Sequence, residues 1–187
     1  MQDIRALRTV EQLRAHTEAG AEPDYLFFWG HRTGKHGSLT KSCFSQWFEA
    51  PFTVDGMSYA SAEHFMMAEK ARLFDDLGTH ALILAARTPA EAKALGRKTQ
   101  GFNEQTWNDA RFGIVVRANE AKFGQHPALR EFLCGTGRHV LVEASPVDSI
   151  WGIGLAADHA DASRPAHWPG LNLLGFAVME VRSRLSP

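Results

Sequence analysis

The feature that most restricts how this chain can fold is a helix-start signal that recurs along it. Thr9 stands three residues before Gln12, and Thr88 precedes Pro89 and then Glu91. In such capping boxes the Thr hydroxyl accepts a hydrogen bond from the first turn of a helix, and Pro is favoured at the first helical position. These and similar signals predict helices over residues 9–20, 58–74, 77–87, 89–98, 107–123, 127–135 and 173–184.

Three of these helices have a cap that we identify by residue type. Asp75 or Asp76 precedes the third helix, Thr106 precedes the fifth and repeats the capping pattern with Asp109, and Asn172 precedes the last. Short polar side chains of this kind are favoured at helix N-termini because their oxygen accepts from a free backbone N–H. We expect each of them to cap the helix that it precedes.

Strand signals are few and short. The run YLFFW at 25–29 is apolar and bounded by turn formers, and the run HVLVEA at 139–144 is the clearest isolated strand. Asp55-Gly56 separates the segments 52–54 and 57–59, and this dipeptide favours a type I′ hairpin turn. The sequence therefore predicts a mainly α fold with a few short β-strands.

The composition is that of one ordinary domain, because 187 residues with 44% hydrophobic content can form a single core. Twenty basic residues oppose 21 acidic ones, so the net charge of −1 gives no overall attraction to nucleic acid or anionic membrane, although a local basic patch remains open. There is no apolar run of roughly 20 residues and no signal-peptide core. We expect a cytoplasmic protein without a membrane partner, in which residues 1–24 form a helical extension of a domain at 25–187. The oligomeric state stays open.

The segment SYASAEHFMMAEKARLF at 58–74 places two charged residues within an apolar helical stripe. At 3.6 residues per turn, Glu63, Met66, Met67 and Lys70 share a face, and roughly 10 Å of helix axis separates the two charges. That spacing suits two groups at opposite ends of a small pocket floored by the methionines. The alternative is a solvated edge, because long charged side chains can lie along apolar surface with their ends in water.

Three further segments carry groups suited to ligand binding. The segment EASPVDSIWGIGL at 143–155 contains Asp148, Trp151 and two glycines that would let backbone approach a ligand. The run CFSQW at 43–47 offers a hydroxyl, an amide and an indole, although its aromatic residues also suit a core edge. The basic loop GHRTGKHG at 30–37 could hold a phosphate or could be an ordinary solvated loop.

Other classes of site lack their sequence patterns. The GxG at 152–154 lacks the third glycine and the strand-to-helix context of a dinucleotide fingerprint. No HExxH, CxxC or acidic calcium-loop pattern occurs, so we predict no metal and no cofactor. Cys43 and Cys134 have no activating motif, and a Cys–His nucleophilic site stays open only because such partners meet in space.

Several segments, taken in order, resemble one family. They are FSQWFEAPFTVDGMSYASAEHFMMAEKARLF, AKALGR, WNDARFGIVVRANEAKF, VLVEASPVDSIWGIG and GLNLLGFAVMEVRSRL. The chain from about Tyr25 to Leu185 resembles the YbiA-like or NADAR family, in which LSNFY often stands where this chain has CFSQW. The resemblance implies a compact, mainly α-helical YbiA-like single domain that hydrolyses an N-glycosidic bond.

The resemblance also implies substrates and site residues. Family activities include cleavage of phosphoribosylamino-pyrimidine intermediates of riboflavin synthesis and removal of ADP-ribose from modified guanine. The expected partners are therefore small ribosyl or ADP-ribosyl molecules, with ADP-ribosylated DNA as a further substrate. The implied catalytic residues are Glu63, Lys70 and Asp148, and the implied substrate-binding residues are Trp29, Arg32, Ser45, Gln46, Trp47, Trp151 and Gly152.

Cleavage of a ribosyl C1–N bond passes through an oxocarbenium-like state that needs a carboxylate near C1. Glu63 or Asp148 could stabilise this cation or orient a water molecule. Lys70 could bind the sugar or phosphate as a cation, or it could lose its proton and attack C1 to give an imine. A non-catalytic module that binds ADP-ribose or NAD, and an eraser associated with nucleic acid, are the alternative functions.

Overall fold

Helices dominate the computed structural model, which describes residues 3–186. Over this range there are seven α-helices and four short strands, so the predicted class, mainly α with a few short β-strands, is confirmed. The helices are α1 (Val10–Glu18), α2 (Ala62–Leu73), α3 (Leu77–Leu84), α4 (Pro89–Gly96), α5 (Glu104–Gln125), α6 (Pro127–Cys134) and α7 (Leu173–Leu185). The strands are β1 (Tyr25–Phe28), β2 (Phe52–Val54), β3 (Met57–Tyr59) and β4 (Val140–Glu143).

Contacts between residues divide the described chain into two units. The middle unit comprises residues 46–126 and contains β2, β3 and α2 to α5. The terminal unit comprises residues 3–45 together with 127–186 and contains the remaining elements. In neither unit is a described helix long and apolar enough to cross a membrane.

In the middle unit α2 is the helix that the others surround. α3, α4 and α5 all pack against it, and its residues 62–69 are buried without exception. A helix enclosed in this way needs no polar face, which is why α2 departs from the single apolar stripe that the sequence predicts. Glu63 and His64 are therefore core residues of this unit.

The hairpin of the middle unit forms as the Asp55-Gly56 dipeptide predicts. β2 pairs antiparallel with β3. Asp55 has φ 50° and Gly56 has φ 79°, and positive φ at both central residues defines the type I′ turn whose twist matches paired strands. The short hairpin leads directly toward the start of α2.

The terminal unit is built around a parallel strand pair. β1 and β4 run in register from Tyr25 opposite Val140 to Phe28 opposite Glu143, and α7 packs on β4. α1, which precedes β1 in the chain, packs on a 3-10 helix at Pro165–His167, which follows β4. The predicted boundary between an extension at 1–24 and a domain at 25–187 stays a prediction.

Local capping predictions are confirmed for three helices. Thr9, Asp76 and Thr88 each accept a hydrogen bond from the backbone N–H three residues further on, at 3.2, 3.0 and 3.1 Å. Asp75, the alternative cap for α3, instead lies before it with a φ of 56°. In each case the cap and its partner are neighbours in sequence, so the local pattern was sufficient.

The predicted start and end of the fifth helix are wrong. α5 is capped by Asn103, whose Oδ1 accepts from the Thr106 N–H at 2.9 Å, so Thr106 and Asp109 lie inside the helix. The helix also continues past Gly124 to Gln125. A glycine in a helix costs only about 1 kcal/mol relative to alanine, and packing within the unit can override that preference.

Asn172 occupies the predicted cap position of α7, but its side chain does not cap the helix. Its Oδ1 accepts from the Glu143 N–H at 2.9 Å, and its Nδ2 donates to the Leu141 carbonyl at 2.9 Å. Asn172 therefore fastens the start of α7 to β4. Its φ of 54° lies in the left-handed region, which asparagine tolerates better than most residues.

Candidate active site

The first turn of α2 is fixed by a serine and a histidine. Ser61 Oγ accepts from the His64 N–H at 3.4 Å and also bonds to His64 Nδ1 at 2.8 Å, while His64 Nε2 lies 3.2 Å from the Ala86 carbonyl oxygen. Because a carbonyl only accepts, Nε2 carries the proton and Nδ1 accepts from the serine hydroxyl. Burial lowers the pKa of His64 and so favours the neutral ring, and this effect outweighs the hydrogen bond to the Ala86 carbonyl, which acts in the opposite direction.

Glu63 lies in this fixed turn and is 2% exposed. Its backbone N–H donates to the Gln46 carbonyl at 3.0 Å. The Gln46 side chain accepts from Asn119 Nδ2 at 2.8 Å, and its Nε2 lies 3.9 Å from Met66 Sδ. The structure thus brings three of the sequence-identified residues, Glu63, Gln46 and Met66, to one place in the middle unit.

Lys70 lies two turns along α2, where its amine is partly buried. Nζ donates to the Gly96 carbonyl at 3.0 Å and lies 4.4 and 5.6 Å from the ring centroids of Phe102 and Trp107. Among residues 3–186 it forms no ion pair with a carboxylate. Burial lowers the pKa of Lys70, and the nearby Arg97 cation lowers it further. The amine therefore holds its proton less firmly than an exposed lysine does.

Met66 and Met67 are both buried, and Met67 packs against α4. A Cβ at Gly96 would lie 2.2 Å from Met67 Sδ, so only glycine lets the end of α4 approach α2 so closely. The same close approach places the Gly96 carbonyl where Lys70 can donate to it.

Trp47 is half-buried in the middle unit, and Lys93 Nζ lies 5.8 Å from its ring centroid. Its indole can offer a flat face to a heterocycle, as the sequence predicts. Phe102 and Trp107, the two aromatic residues beside Lys70, can do the same and were not among the predicted binding residues.

Asp148 belongs to the terminal unit, in the segment that follows β4. Its Oδ1 accepts from the backbone N–H groups of Ile150 at 2.9 Å and Trp151 at 2.8 Å. The carboxylate therefore fixes the turn that carries Trp151, which is half-buried. This contact is a structural role for Asp148, and a catalytic one stays a prediction.

Gly152 is required by the packing of the chain against itself. A Cβ there would lie 2.8 Å from the Glu143 carbonyl oxygen and 3.0 Å from that of Asp148. A bulkier residue would push the segment away from the end of β4. The close approach seen at Gly152 is thus to backbone of the same unit, and its contact with substrate stays a prediction.

The remaining predicted residues, Trp29, Arg32 and Ser45, all follow β1 in the chain. Trp29 follows β1 and is 61% exposed. Because β1 and β4 are parallel, their carboxyl ends meet at one edge, so Trp29 and the segment with Asp148 begin at the same edge. Arg32 is exposed in the following loop, and Ser45 is buried after the 3-10 helix Lys41–Phe44.

Comparison with known proteins identifies the family. The family model described as NADAR domain matches residues 27–186. The chain belongs to the NADAR family. It is 41% identical over 163 residues to an N-glycosidase of Acanthamoeba polyphaga mimivirus, covering 84% of this chain and 94% of that relative.

Two further NADAR comparisons involve Escherichia coli. The chain is 31% identical over 143 residues to the N-glycosidase YbiA of strain K12, covering 76% of this chain and 81% of YbiA. The NMR structure of the E. coli protein YbiA matches with a TM-score of 0.68 and 28% identity, over 88% of this chain and 86% of that one. The predicted YbiA-like fold and the predicted enzyme class, a hydrolase of N-glycosyl compounds, are confirmed.

Three residues that position the candidate site were missed by sequence reasoning. Asn119 holds the Gln46 side chain, His64 fixes the turn with Glu63, and Gly96 accepts from Lys70. A fully buried asparagine in the middle of a helix is costly unless it is hydrogen-bonded. An asparagine among the apolar positions of α5 was therefore the one sequence signal that could have indicated a buried polar contact. Across residues 3–186, no three His, Cys, Asp or Glu side chains are grouped as metal ligands would be.

Proposed function

We propose that this NADAR protein hydrolyses the C1–N bond of a ribosyl compound, either a phosphoribosylamino-pyrimidine or ADP-ribosylated guanine. The observation that carries the proposal is helix α2, which holds the buried carboxylate of Glu63 in its first turn and the partly desolvated amine of Lys70 two turns later. The N-glycosidase relatives support the reaction class. A cytoplasmic setting is part of the proposal.

Glu63 stabilises the positive charge that develops at C1 and the ring oxygen. A buried carboxylate does this better than a solvated one, because the low local dielectric strengthens its field and the fixed turn requires no reorganisation. The N-terminal end of α2 carries a partial positive charge that stabilises the carboxylate itself. The hydrogen bond from the Glu63 N–H to Gln46 keeps the residue in place during the reaction.

Lys70 acts as the nucleophile. Its neutral amine attacks C1 while the C1–N bond breaks, and the electron pair of that bond goes to the leaving nitrogen, which takes up a proton. Loss of a proton from Nζ and opening of the sugar ring give an imine, and water then releases the sugar and restores the amine. The lowered pKa of Lys70 supports this role because it increases the neutral fraction of the amine.

Aromatic residues supply the surfaces for the base. Trp47, as predicted from the sequence, and Phe102 with Trp107 beside Lys70 are available for stacking. Asp148 is proposed as a second carboxylate that orients the sugar or a water molecule. Its Oδ1 is occupied by two backbone N–H groups, and its Oδ2 accepts no hydrogen bond from residues 3–186.

The direct test is incubation of the purified chain with each substrate in turn. ADP-ribosyl-guanine DNA and the phosphoribosylamino-pyrimidine are supplied separately, and the released base and sugar are identified by mass spectrometry. Release of an intact base with one substrate supports the proposal and selects that substrate. Tight binding of ADP-ribose without release of base from either substrate would instead favour the alternative function, a non-catalytic module that binds ADP-ribose. Activity on DNA that falls steeply with salt would indicate contacts to the phosphate backbone.

A further inference from the structure

A cavity of about 420 Å³ opens in the terminal unit, where the 3-10 helix Ile4–Ala6 packs on α7. Its lining includes four arginines, and none of the candidate catalytic or substrate-binding residues contributes to it. The cavity is large enough for a small organic molecule, since ligand sites typically range from about 300 to 1,000 Å³. The four are Arg5, Arg8, Arg138 and Arg182.

The positive charge of this cavity is only partly neutralised. Asp3 pairs with Arg5 at 2.7 Å and lies 3.7 Å from Arg138, and Glu180 pairs with Arg8. Four guanidinium groups against these two carboxylates leave an excess of two positive charges. A phosphate monoester carries about −1.5 to −2 at pH 7 and would balance that excess.

Arg182 is the group in the cavity wall that most needs a partner. It is 2% exposed, and its Nη1 donates to Thr136 Oγ1 at 2.7 Å. Its Nη2 is buried and has no hydrogen-bond partner within residues 3–186. Burial and then the neighbouring Arg8 cation lower the pKa of Arg182 to about 10. A buried cation with an unpaired donor is costly, and a bound oxyanion would remove that cost.

We propose that this cavity binds the phosphate group of a small molecule, with Arg138 and Arg182 as the principal contacts. The planar guanidinium group presents paired donors that match a phosphate, which is why arginine predominates at phosphate sites. Arg138 is well exposed at the cavity, with a side-chain accessibility of 69%, and its contact with Asp3 is long, at 3.7 Å. The cavity exceeds the size of a phosphate ion, so the attached group lies within it as well.

The proposal is tested by titrating the full chain with inorganic phosphate and, separately, with adenosine monophosphate, using calorimetry. We expect saturable binding of at least one probe. Arg138→Met should weaken it by at least about tenfold, because a charge-assisted hydrogen bond is lost. Arg182→Met should weaken it similarly. Arg87→Met, an exposed arginine of the middle unit, is the matched control for net charge and should bind as the wild type does.

Arg182→Met also loses the buried hydrogen bond to Thr136, so weaker binding by that variant could reflect a folding defect. Arg138 is exposed, so Arg138→Met tests binding without disturbing the core. N-glycosidase turnover of Arg138→Met should equal that of the wild type, so failure of this proposal and failure of the proposed function are distinguishable. Tighter binding of the nucleotide than of phosphate supports a site that also holds the attached group, and equal binding supports recognition of the phosphate alone. No saturable binding, or the same dissociation constant in Arg138→Met and the wild type, would overturn the proposal.

Discussion

The two carboxylates predicted to act in catalysis are held in opposite ways. Glu63 lies in the first turn of α2, and the capping of that turn is performed by Ser61 and His64. Asp148 lies in an irregular segment after β4, and its own carboxylate accepts the hydrogen bonds from Ile150 and Trp151 that shape the turn. The turn around Glu63 is thus capped by other side chains, whereas the turn at Asp148 is held by hydrogen bonds that its own carboxylate accepts.

This difference determines how mutations at the two places are interpreted. At Glu63 the helix is also held by three neighbouring helices and by the cap at Ser61, so the turn does not depend on the carboxylate for its capping. A loss of activity at Asp148 combines chemistry with displacement of Trp151. The predictions below use variants that separate charge from structure in each region.

The largest effect is expected at Lys70, the second functional group of α2. Lys70→Arg should abolish turnover, because a guanidinium group stays protonated and cannot attack C1. Sodium borohydride added during turnover of the wild type should trap the imine as a stable ribose adduct on Lys70, which peptide mass mapping would locate. An active Lys70→Arg protein, or turnover with no adduct on Lys70, would assign Lys70 an electrostatic role only.

Glu63→Gln should fold normally and lower kcat by at least about 10²-fold, because the side chain keeps its size and only the charge is lost. Steady-state kinetics and a thermal melt measure the two effects. Glu131→Gln, an exposed carboxylate on α6, is the matched control and should retain full activity. Wild-type turnover by well-folded Glu63→Gln protein would remove Glu63 from the mechanism.

The pH dependence should show the amine of Lys70 directly. Burial lowers its pKa from 10.5, so the neutral fraction, and with it kcat/KM, should rise about tenfold per pH unit below that lowered value and then level off. The contribution of Lys70 to the free energy of unfolding should also increase with pH. Between the folded and unfolded pKa values the unfolded chain binds more protons, so stability increases with pH and is lost as the pH falls through the folded value. A flat rate profile would exclude Lys70 as the titrating nucleophile.

At Asp148 two substitutions separate the charge from the turn. Asp148→Asn keeps an oxygen that can accept from Ile150 and Trp151, so we expect an unchanged melting temperature. Its activity should be about tenfold lower, because a charge-assisted hydrogen bond to the substrate is lost. Asp148→Ala removes the acceptor and should cost about 0.5 to 2 kcal/mol of stability as well, as at a helix cap. Normal turnover by Asp148→Asn together with a lower melting temperature of Asp148→Ala would establish a purely structural role.

The same contrast explains what the sequence could predict. Thr9, Asp76 and Thr88 bond to groups three residues away, so their chemistry is readable from neighbouring letters. Asn172 hydrogen-bonds to Leu141 and Glu143, about thirty residues away in the chain. Asparagine is favoured at helix caps, so the sequence predicted a cap, but the packing of α7 on β4 gives this side chain distant partners instead.

For the site, the sequence could place Glu63 and Lys70 on one helix because helical spacing is a local property. It could not show that Asn119 would hold Gln46 from 73 residues away, or that Gly96 would accept from Lys70. Those contacts depend on how α4 and α5 pack against α2, and no local pattern encodes that packing. The family resemblance implied which residues contact the substrate, and it left the roles of Glu63, Lys70 and Asp148 open.

Substitutions at Gly96 and Gly113 test whether packing, and not hydrogen bonding of the Glu63 turn alone, keeps α2 in place. Gly96→Ala would put a Cβ 2.2 Å from Met67 Sδ and 3.0 Å from Met67 Cβ, so either Met67 or the end of α4, which carries the carbonyl that accepts from Lys70, must move. Overpacking of this kind costs about 1 to 3 kcal/mol. Gly113→Ala is the matched control, because no atom lies within 4 Å of the added Cβ on the exposed face of α5, and it should stabilise the protein by up to about 1 kcal/mol. Chemical denaturation measures both, and equal stability of the two variants would show that the contact between Gly96 and Met67 does not constrain α2.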